Sequence, residues 1–363
     1  MTQLTLVELS FSAAGARSLW EDLGRRARCH YFLSPGFVEV WLDELPLRVR
    51  PRLCAVCRAG EPVAAFFLGS RRVFRHGVLP SRARFLNTSG DPRYDELTLE
   101  HNAVLCEPGA APTLREWLEL LPGDWDELFL PALADDAFPA SALSEPVGSL
   151  RVLVERVVEA PVVELARARA AKGGYASLLG ASTRAQIRRA ERGYGALALE
   201  VAESTGQAME ILAELAELHQ RHWRARGEPG VFADPWFVKF HQTLVERRFA
   251  HGELQLLRVR SRQRTIGCLY NFVWRGSVLF YQSGLVEEAD PRLKPGYVCH
   301  ARAVELNAAL GHHAYDFLAG AARYKHSLAT ANRSMIWARI QRPLARFSLE
   351  RRMRELQASW SAR

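Results

Sequence analysis

The stretch from residue 277 to residue 320 constrains the fold more than any other part of the chain. It consists of three consecutive segments: the strand-like run SVLFYQSGLV (277–286), the helical pattern KPGYVCHARAVELNAALG (294–311) and the strand-like run AYDFLAG (314–320). Pro295 and Gly296 at the start of the middle segment and Gly311 at its end are typical helix boundaries. A strand, a helix and a second strand in this order form a crossover unit, whose strands lie parallel in one sheet.

The segments before this crossover unit predict an antiparallel meander. Strand-like runs occupy 253–260 and 265–274, and the two-residue break at 275–276 favours a tight hairpin with the run that follows. Helices are predicted at 183–192 and 207–224, where apolar residues recur at helical spacing. The sequence therefore predicts an antiparallel meander that leads into a single crossover unit.

The first half of the chain mixes helix and strand patterns. A helix is expected at 37–45, and strands are expected at 53–56, 62–68, 103–105 and 150–158. Residues 124–148 are dense in Pro, Asp, Ala and Ser, as domain junctions often are. Because 363 residues exceed the size at which one hydrophobic core usually stops growing, we expect two domains. The expected boundaries are 1–150 for an N-terminal domain, 151–345 for a C-terminal domain and 346–363 for a basic helical tail.

The composition, 48% hydrophobic and 24% charged, is that of a globular protein with ample core material. No run of about 18 uncharged apolar residues occurs, and no basic segment followed by an apolar one opens the chain, so neither a membrane span nor a signal peptide is expected. We expect a cytoplasmic protein whose six scattered cysteines are reduced thiols. Cys54 and Cys57 have CxxC spacing but lie in an apolar run, which favours buried strand residues over a metal or redox site.

The net charge of +8 is concentrated near the end of the chain, where seven arginines face two glutamates between residues 339 and 363. A basic helix of this kind can bind nucleic acid or anionic lipid. No aromatic or glycine-rich nucleic-acid motif accompanies it, so a solvated helix face is favoured and no nucleic-acid partner is expected.

The start of the predicted helix in the crossover unit is a candidate anion site. Exposed backbone N–H groups and the positive end of the helix dipole bind phosphate, Gly296 allows close approach, and Arg292 and Lys294 add positive charge. The alternative is a Pro-Gly turn flanked by two surface cations, and neither nucleotide-binding glycine fingerprint is present to decide between them.

The strand before that helix carries polar residues just ahead of Gly284. A glycine there often marks a bulge or the close approach of another chain or a ligand. If the strands at 277–286 and 314–319 splay apart, unpaired backbone amides near Gln282 and Ser283 would face the gap and could polarise a carbonyl. A simple strand end is the alternative.

Asp316 on the second strand of the unit needs a charged partner if it is buried, and Lys325 or an arginine could supply it. A structural ion pair is one interpretation. The other is a catalytic or substrate-binding group, which is favoured by its location at the carboxyl end of a crossover strand, where ligands commonly bind.

Two helical segments carry further candidates. Arg184, Arg188 and Arg192 share one face of a predicted helix, and Ser182 or Thr183 could cap the N-terminus of that helix. This face is either an anion site or a solvated surface. Farther along the chain, His219 and His222 have a spacing that metals can use, but no acidic third ligand is near in sequence, so ordinary packed histidines and no metal site are expected.

Six strings in this order resemble the bacterial GNAT-type acyltransferases related to the cellulose-biosynthesis-associated acetyltransferases, and the resemblance spans roughly residues 20–345. These strings are STRAQIRRAERGYG (182–195), LHQRHWRARGEPGVFADP (218–235), IGCLYNFVWRG (266–276), LFYQSGL (279–285), KPGYVCHA (294–301) and YDFLAGAARYKHSLA (315–329). Their order and spacing, more than any single string, carry the resemblance. It implies an α/β (α+β) fold of tandem GNAT-like domains, the first degenerate, each with a mostly antiparallel sheet flanked by helices.

The resemblance also implies direct transfer of an acyl group from acetyl-CoA or another acyl-CoA to an amine or hydroxyl of a small molecule or glycan precursor. It implies Tyr324 as the acid for the leaving thiolate, with Asp316 and Lys325 orienting the acceptor or the loop. The implied residues for the donor are Gln282, Ser283, Arg292, Lys294, Gly296 and Tyr297, and those for the acceptor are Arg188, His222, Trp223 and Tyr281. In place of the full GNAT pyrophosphate motif, the chain has Gly296 followed by Tyr297 and Val298.

Two other classes of protein share the implied fold. One is the transfer-RNA-dependent transferase of the kind that builds peptidoglycan bridges, for which the basic tail would suit an RNA partner. The other is a binding protein without catalytic activity.

Overall fold

The computed structural model describes residues 3–11, 15–76, 79–97, 99–262, 264–320 and 322–361, with side chains up to 353. The chain divides into two compact units. Unit 1 comprises Met1–Pro35, Leu45–Val157 and Met335–Arg363, and unit 2 comprises Gly36–Glu44 and Val158–Ser334. The domain boundaries expected from the sequence stay predictions. No helix in the described ranges is long and apolar enough to cross a membrane.

Strands and helices alternate along both units. The strands are β1 (Leu4–Leu9), β2 (Arg52–Arg58), β3 (Glu61–Arg75), β4 (Leu79–Leu86), β5 (Leu105–Cys106), β6 (Glu127–Ala134), β7 (Arg151–Glu164), β8 (Leu197–Val201), β9 (Leu254–Ser261), β10 (Arg264–Trp274), β11 (Ser277–Leu285), β12 (Ala314–Asp316) and β13 (Ala331–Gln341). The helices are α1 (Ala16–Arg26), α2 (Pro35–Glu44), α3 (Pro92–Asp95), α4 (Leu114–Leu120), α5 (Leu165–Ala170), α6 (Gly174–Leu178), α7 (Ala181–Tyr194), α8 (Thr205–Arg224), α9 (Pro235–Arg248), α10 (Pro295–Ala309), α11 (Arg323–Leu328) and α12 (Ala345–Ser361).

Unit 1 contains a mixed sheet with the strand order β1-β2-β3-β4-β6-β13, in which β5 pairs with β3. Its pairs are antiparallel except for β4 and β6, which run parallel. Trp117 and Trp125 are buried in its core with Phe66. Cys54 and Cys57 lie buried in β2, as predicted, and none of the six cysteines forms a disulfide in this structure.

The basic segment at the end of the chain forms α12 in unit 1. Arg346 pairs with Asp126 at 2.6 Å, while Phe347 and Glu350 are buried. Glu350 accepts two hydrogen bonds from the guanidinium of Arg75, at 2.6 and 2.7 Å. The first turns of α12 are therefore part of the folded unit. The predicted basic side chains at 354 and 363 lie outside the described side chains.

Unit 2 contains a sheet with the order β7-β12-β11-β10-β9-β8. The β10–β11 hairpin is antiparallel and turns at Arg275 and Gly276, and β11 and β12 run parallel on either side of α10, as the crossover prediction required. Apolar residues of α5, α7 and α10 pack on this sheet and form its core. The predicted class, a mixed and mostly antiparallel sheet flanked by helices, is confirmed.

Two local predictions were wrong. Helix α7 begins at Ala181 after the N-cap residue Gly180, which has extended backbone, so Ser182 and Thr183 lie inside the first turn and do not cap it. The strand expected at 103–105 is limited to Leu105–Cys106, because β5 pairs with only two residues of β3.

Candidate active site

The parallel strands β11 and β12 separate after a short contact. Ser277–Leu279 pair with Ala314–Asp316, and within the described part of the chain this ladder goes no further. On its other edge β11 stays paired with β10 as far as Leu285. Alternate backbone groups of a strand point to opposite edges, so some amides of β11 beyond Leu279 face a gap that β12 does not fill. The splayed strands expected from the sequence are present.

A β-bulge lies where the gap begins. Gln282 pairs with Tyr270 but Phe280 pairs with Asn271, so Tyr281 is the extra residue on β11. A bulge bends its strand and increases the local twist, and this one lies two residues beyond the last β11–β12 pair. The sequence had connected a bulge with Gly284, three residues farther on.

Gly284 instead permits close approach of α8. A Cβ atom at this position would lie 2.9 Å from both Leu215 Cα and Leu218 Cβ, and closer still to the Leu215 carbonyl oxygen. The glycine therefore allows the backbone of α8 to pack directly on β11.

The N-terminus of α10 follows the gap along the chain. Lys294 is the N-cap residue, its side chain makes no capping hydrogen bond, and Pro295 occupies the first turn. The N–H groups of Gly296 and Tyr297 therefore have no acceptor within the helix. A Cβ atom on Gly296 would lie 3.2 Å from Leu285 Cδ1, so this glycine accommodates a side chain of β11.

Arg292 was predicted to add charge to this anion site. Its guanidinium instead donates to both carboxylate oxygens of Asp290, at 2.8 to 3.0 Å. This ion pair neutralises the charge of Arg292 locally. Lys294 lies 5.8 Å from the centre of the Tyr297 ring and remains a cation beside the first turn of α10.

The loop after β12 is organised by charged groups. Asp316 is buried, accepts a hydrogen bond from the Leu318 N–H at 2.8 Å and forms an ion pair with Arg333 at 3.7 Å. Lys325 Nζ donates to the carbonyl oxygens of Phe317 at 2.8 Å and of Ala319 at 2.9 Å. These bonds hold Leu318 in left-handed backbone with a φ of 58°. The ammonium group of Lys325 thus fixes the chain that leads into α11.

Tyr324, on α11, lies beside the gap. Its ring stacks on the imidazole of His300 with centroids 5.4 Å apart and planes 19° apart. The ring of Phe317, the residue that directly follows β12, has its centroid 6.4 Å from that of Tyr324. Burial raises the pKa of Tyr324, so the phenol stays protonated at neutral pH. A hydrogen bond of 3.0 Å between Tyr297 and Ser327 links α10 to α11.

The predicted acceptor residues on α7 and α8 lie on the surface of unit 2. Arg188 is exposed on α7. His222 contacts Glu287, which follows β11, at 3.0 Å, and Trp223 is 38% exposed and donates to His219 Nε2 at 2.9 Å. No group of three or more His, Cys, Asp or Glu side chains in the described residues could hold a metal ion.

Three predicted residues lie on β11 itself. Gln282 and Ser283 are half-buried and pair with β10. The hydroxyl of Tyr281 lies 3.2 Å from Nε2 of the buried His241 on α9, whereas Phe280 packs against His300 on α10. Tyr281 and Phe280 therefore point to opposite faces of the sheet. The roles given to all these residues from the sequence stay predictions.

The sequence did not reveal His241 and His300. Each is a single histidine in an apolar helix segment with no motif around it. Both are buried, and burial lowers the pKa of each imidazole to about 3, with the Lys325 charge as a second cause for His300. Both are therefore neutral at physiological pH.

The crossover unit, the bulged strand and the gap beside it define unit 2 as an acyltransferase-like domain of the GNAT type. Residues 181–326 match the model of the acetyltransferase (GNAT) domain family. Over that segment, the resemblance read from the sequence is confirmed. No curated protein matches the chain.

Two solved structures share the fold over nearly the whole chain. The structure of FemX has a TM-score of 0.56 at 9% identity, with 92% of this chain and 96% of that chain covered. A conserved protein of unknown function from Bacteroides thetaiotaomicron VPI-5482 has a TM-score of 0.50 at 10% identity, with 94% and 99% covered. A tandem GNAT protein from the clavulanic acid biosynthesis pathway has a TM-score of 0.48 at 13% identity, with 93% and 98% covered.

Proposed function

We propose that unit 2 transfers an acyl group from an acyl-CoA thioester, acetyl-CoA in the simplest case, to an amine or hydroxyl group. The observation that carries this proposal is the early end of the β11–β12 ladder, after Leu279 and Asp316. It leaves a gap lined on one side by strand amides, which suits an extended chain with amide and thioester groups.

In this proposal the pantetheine arm of the donor lies in the gap, and its thioester carbonyl accepts hydrogen bonds from amides of β11 near Gln282 and Ser283. The pyrophosphate lies at the start of α10, where the free N–H groups of Gly296 and Tyr297 and the charge of Lys294 favour an anion. Arg292 is held in an ion pair with Asp290, so it can contribute to binding of the pyrophosphate only if the donor breaks that pair.

The chemical step is a direct attack of the acceptor nitrogen or oxygen on the thioester carbonyl carbon. The new bond forms, the carbon–sulfur bond breaks, the nucleophile loses its proton and the leaving sulfur takes one up. Tyr324 is protonated and half-buried beside the gap, so it can donate to that sulfur. Lys325 and Asp316 hold the loop that positions Tyr324.

The acceptor in this proposal is a small molecule or a polysaccharide precursor. His222 and Trp223, near the chain that leaves β11, and the exposed Arg188 are the proposed contacts. Tyr281 is less suited to this role, because its hydroxyl is directed to the buried His241.

Native mass spectrometry and calorimetry with a panel of acyl-CoAs test the donor. We expect one acyl-CoA to bind, and we expect Tyr324→Phe to lower turnover by about 10²- to 10⁴-fold with unchanged donor affinity. Tyr94→Phe serves as the matched control, because it removes the hydroxyl of a buried tyrosine in unit 1 that is distant in sequence from Tyr324. Absence of binding by every acyl-CoA would refute the donor, and turnover with aminoacyl-tRNA alone would assign the chain to the RNA-dependent class. An unimpaired Tyr324→Phe variant would refute the role of the tyrosine.

A further inference from the structure

A chain of buried polar side chains runs through unit 2 and ends at His300. Asn307 on α10 exchanges two hydrogen bonds of 3.0 Å with Gln255 on β9, and Asn271 on β10 donates to Gln255 Oε1 at 2.9 Å. Tyr315 on β12 donates to Asn271 Oδ1 at 3.4 Å and lies 3.2 Å from His300 Nδ1. Four of these residues are wholly inaccessible to solvent, and Gln255 is 7% exposed.

The direction of every bond in this chain is fixed from one end. Asn307 Nδ2 donates to the carbonyl oxygen of Ala303 at 2.8 Å, and a backbone carbonyl can only accept. This contact sets the orientation of the Asn307 amide, and its paired bonds then set that of Gln255. Gln255 Oε1 is therefore the acceptor for Asn271, whose own oxygen must face Tyr315.

The same logic fixes the tautomer of His300. The hydroxyl of Tyr315 has one proton and gives it to Asn271, so it can only accept from His300 Nδ1. The neutral imidazole carries its single proton on Nδ1, and Nε2 holds an unprotonated lone pair. Nε2 is buried and has no hydrogen-bond partner among the described residues.

The ring that carries this lone pair packs where β11 and β12 separate. The His300 ring is 4.4 Å from the ring of Phe280 and 5.2 Å from that of Phe317, centre to centre. Phe280 is the first residue of β11 beyond the last strand pair, and Phe317 is the residue that directly follows β12. Nδ1 of the imidazole points to Tyr315, a residue of the β11–β12 ladder. Nε2 lies on the opposite side of the ring and therefore points away from Tyr315. Tyr324, which is only half-buried, is the ring that covers the imidazole toward solvent.

A buried acceptor without a donor costs stability, and an apolar residue at this position would avoid that cost. We propose that His300 is a positioning residue whose Nε2 accepts a hydrogen bond from the acyl donor, through the pantetheine amide N–H nearest the thioester. This inference rests on the proposed function of the gap. The polar chain from Asn307 to Tyr315 serves to keep the proton on Nδ1 and the lone pair free for the ligand.

The test combines a change in the protein with a change in the ligand. His300→Asn retains an N–H that can reach Tyr315 but has no atom in the place of Nε2. An acetyl-CoA analogue whose amide nearest the thioester is an ester lacks the N–H donor. Calorimetry should show that the analogue binds wild-type protein about 10-fold more weakly than acetyl-CoA does. His300→Asn should bind acetyl-CoA about 10-fold more weakly and should not distinguish the two ligands.

Equal affinity of wild-type protein and His300→Asn for acetyl-CoA overturns the inference while leaving the proposed function intact. The same holds if the ester analogue binds His300→Asn more weakly than acetyl-CoA does by the same factor as it does for wild-type protein. Failure of wild-type protein to bind any acyl-CoA of the panel overturns both. Nitrogen-15 NMR of the wild-type imidazole gives a second measurement that needs no variant. We expect an unprotonated Nε2 signal that shifts when acetyl-CoA is added to the free protein, and an unchanged signal under saturation refutes the contact.

Discussion

Replacement of Gly284 by alanine tests the packing that supports the candidate site. The added Cβ atom would lie 2.9 Å from Leu215 Cα and from Leu218 Cβ, which are a backbone atom and the base of a side chain. Ordinary carbon contacts need about 3.5 to 4.0 Å, so α8 must move from β11 by roughly 0.5 to 1 Å. Neither of these two atoms can swing away as the end of a flexible side chain could, so the whole helix must shift.

Overpacking a tight core contact lowers the free energy of unfolding by about 1 to 3 kcal/mol. Because the clash in Gly284→Ala involves a backbone atom, we expect a loss of about 3 kcal/mol. For a folding unit of about 150 to 250 residues, this loss lowers the melting temperature by roughly 6 to 12 °C. Calorimetry measures the shift. Gly206→Ala on the exposed start of the same helix, with Ser204 Oγ at 4.0 Å as its nearest neighbour, should instead stabilise by about 0.5 kcal/mol. If Gly284→Ala melts with the wild-type protein, α8 and β11 do not approach as described.

Two further predictions concern charge in unit 2. The pKa values of His241 and His300 are held at about 3 by burial, against about 6.5 in the unfolded chain, so the unfolded state binds more protons below pH 6.5. The free energy of unfolding should be at its full value above pH 6.5 and should fall by about 1.4 kcal/mol per pH unit for each histidine down to about pH 3. Urea titrations at several pH values measure this dependence, and the free energy of unfolding of His241→Gln should fall less steeply with decreasing pH than that of the wild-type protein. Lys325→Met removes the donor to two loop carbonyls and should lower kcat/KM about 10-fold or more in steady-state assays, whereas Lys325→Gln should lose less.

The crossover unit could be predicted from the sequence because its signals are local. Pro295 and Gly311 bound the helix, and the break at 275–276 closes the hairpin on its other side. The length of the β11–β12 ladder could not be predicted, because it depends on a bulge at Tyr281 that has no local sign. The sequence left a bulge and a close approach as alternatives for Gly284, and a glycine pattern alone does not tell one from the other.

The partners of the site residues were equally hidden from local patterns. Asp316 pairs with Arg333, which lies on the strand after α11, and Arg292 is held by Asp290, its neighbour two residues before. The bare lone pair of His300 depends on amides at 255, 271 and 307, whose contacts arise from strand register and helix packing. Contacts of this kind are set by the tertiary fold, and no spacing rule reports them.

Unit 1 shows what happens to such a gap when side chains fill it. Its parallel strands β4 and β6 also share only three residue pairs, ending at Phe85 and Phe129. Just beyond that point Asn102 Nδ2 donates to the carbonyl oxygens of Leu86 and Pro131, both at 3.0 Å, so a side chain links the two strands.

Asn87 supports this link in unit 1 by donating to Asn102 Oδ1 at 2.7 Å. The carbonyl groups of Leu86 and Pro131 and the side-chain amide of Asn102 are therefore satisfied within unit 1. In unit 2 the ladder also ends after three pairs, the His300 ring packs on Phe280 just beyond that point, and Nε2 of His300 has no partner in the described residues. The two parallel pairs differ in whether the protein completes its own hydrogen bonds, and that difference is the physical reason to place the acyl donor in unit 2.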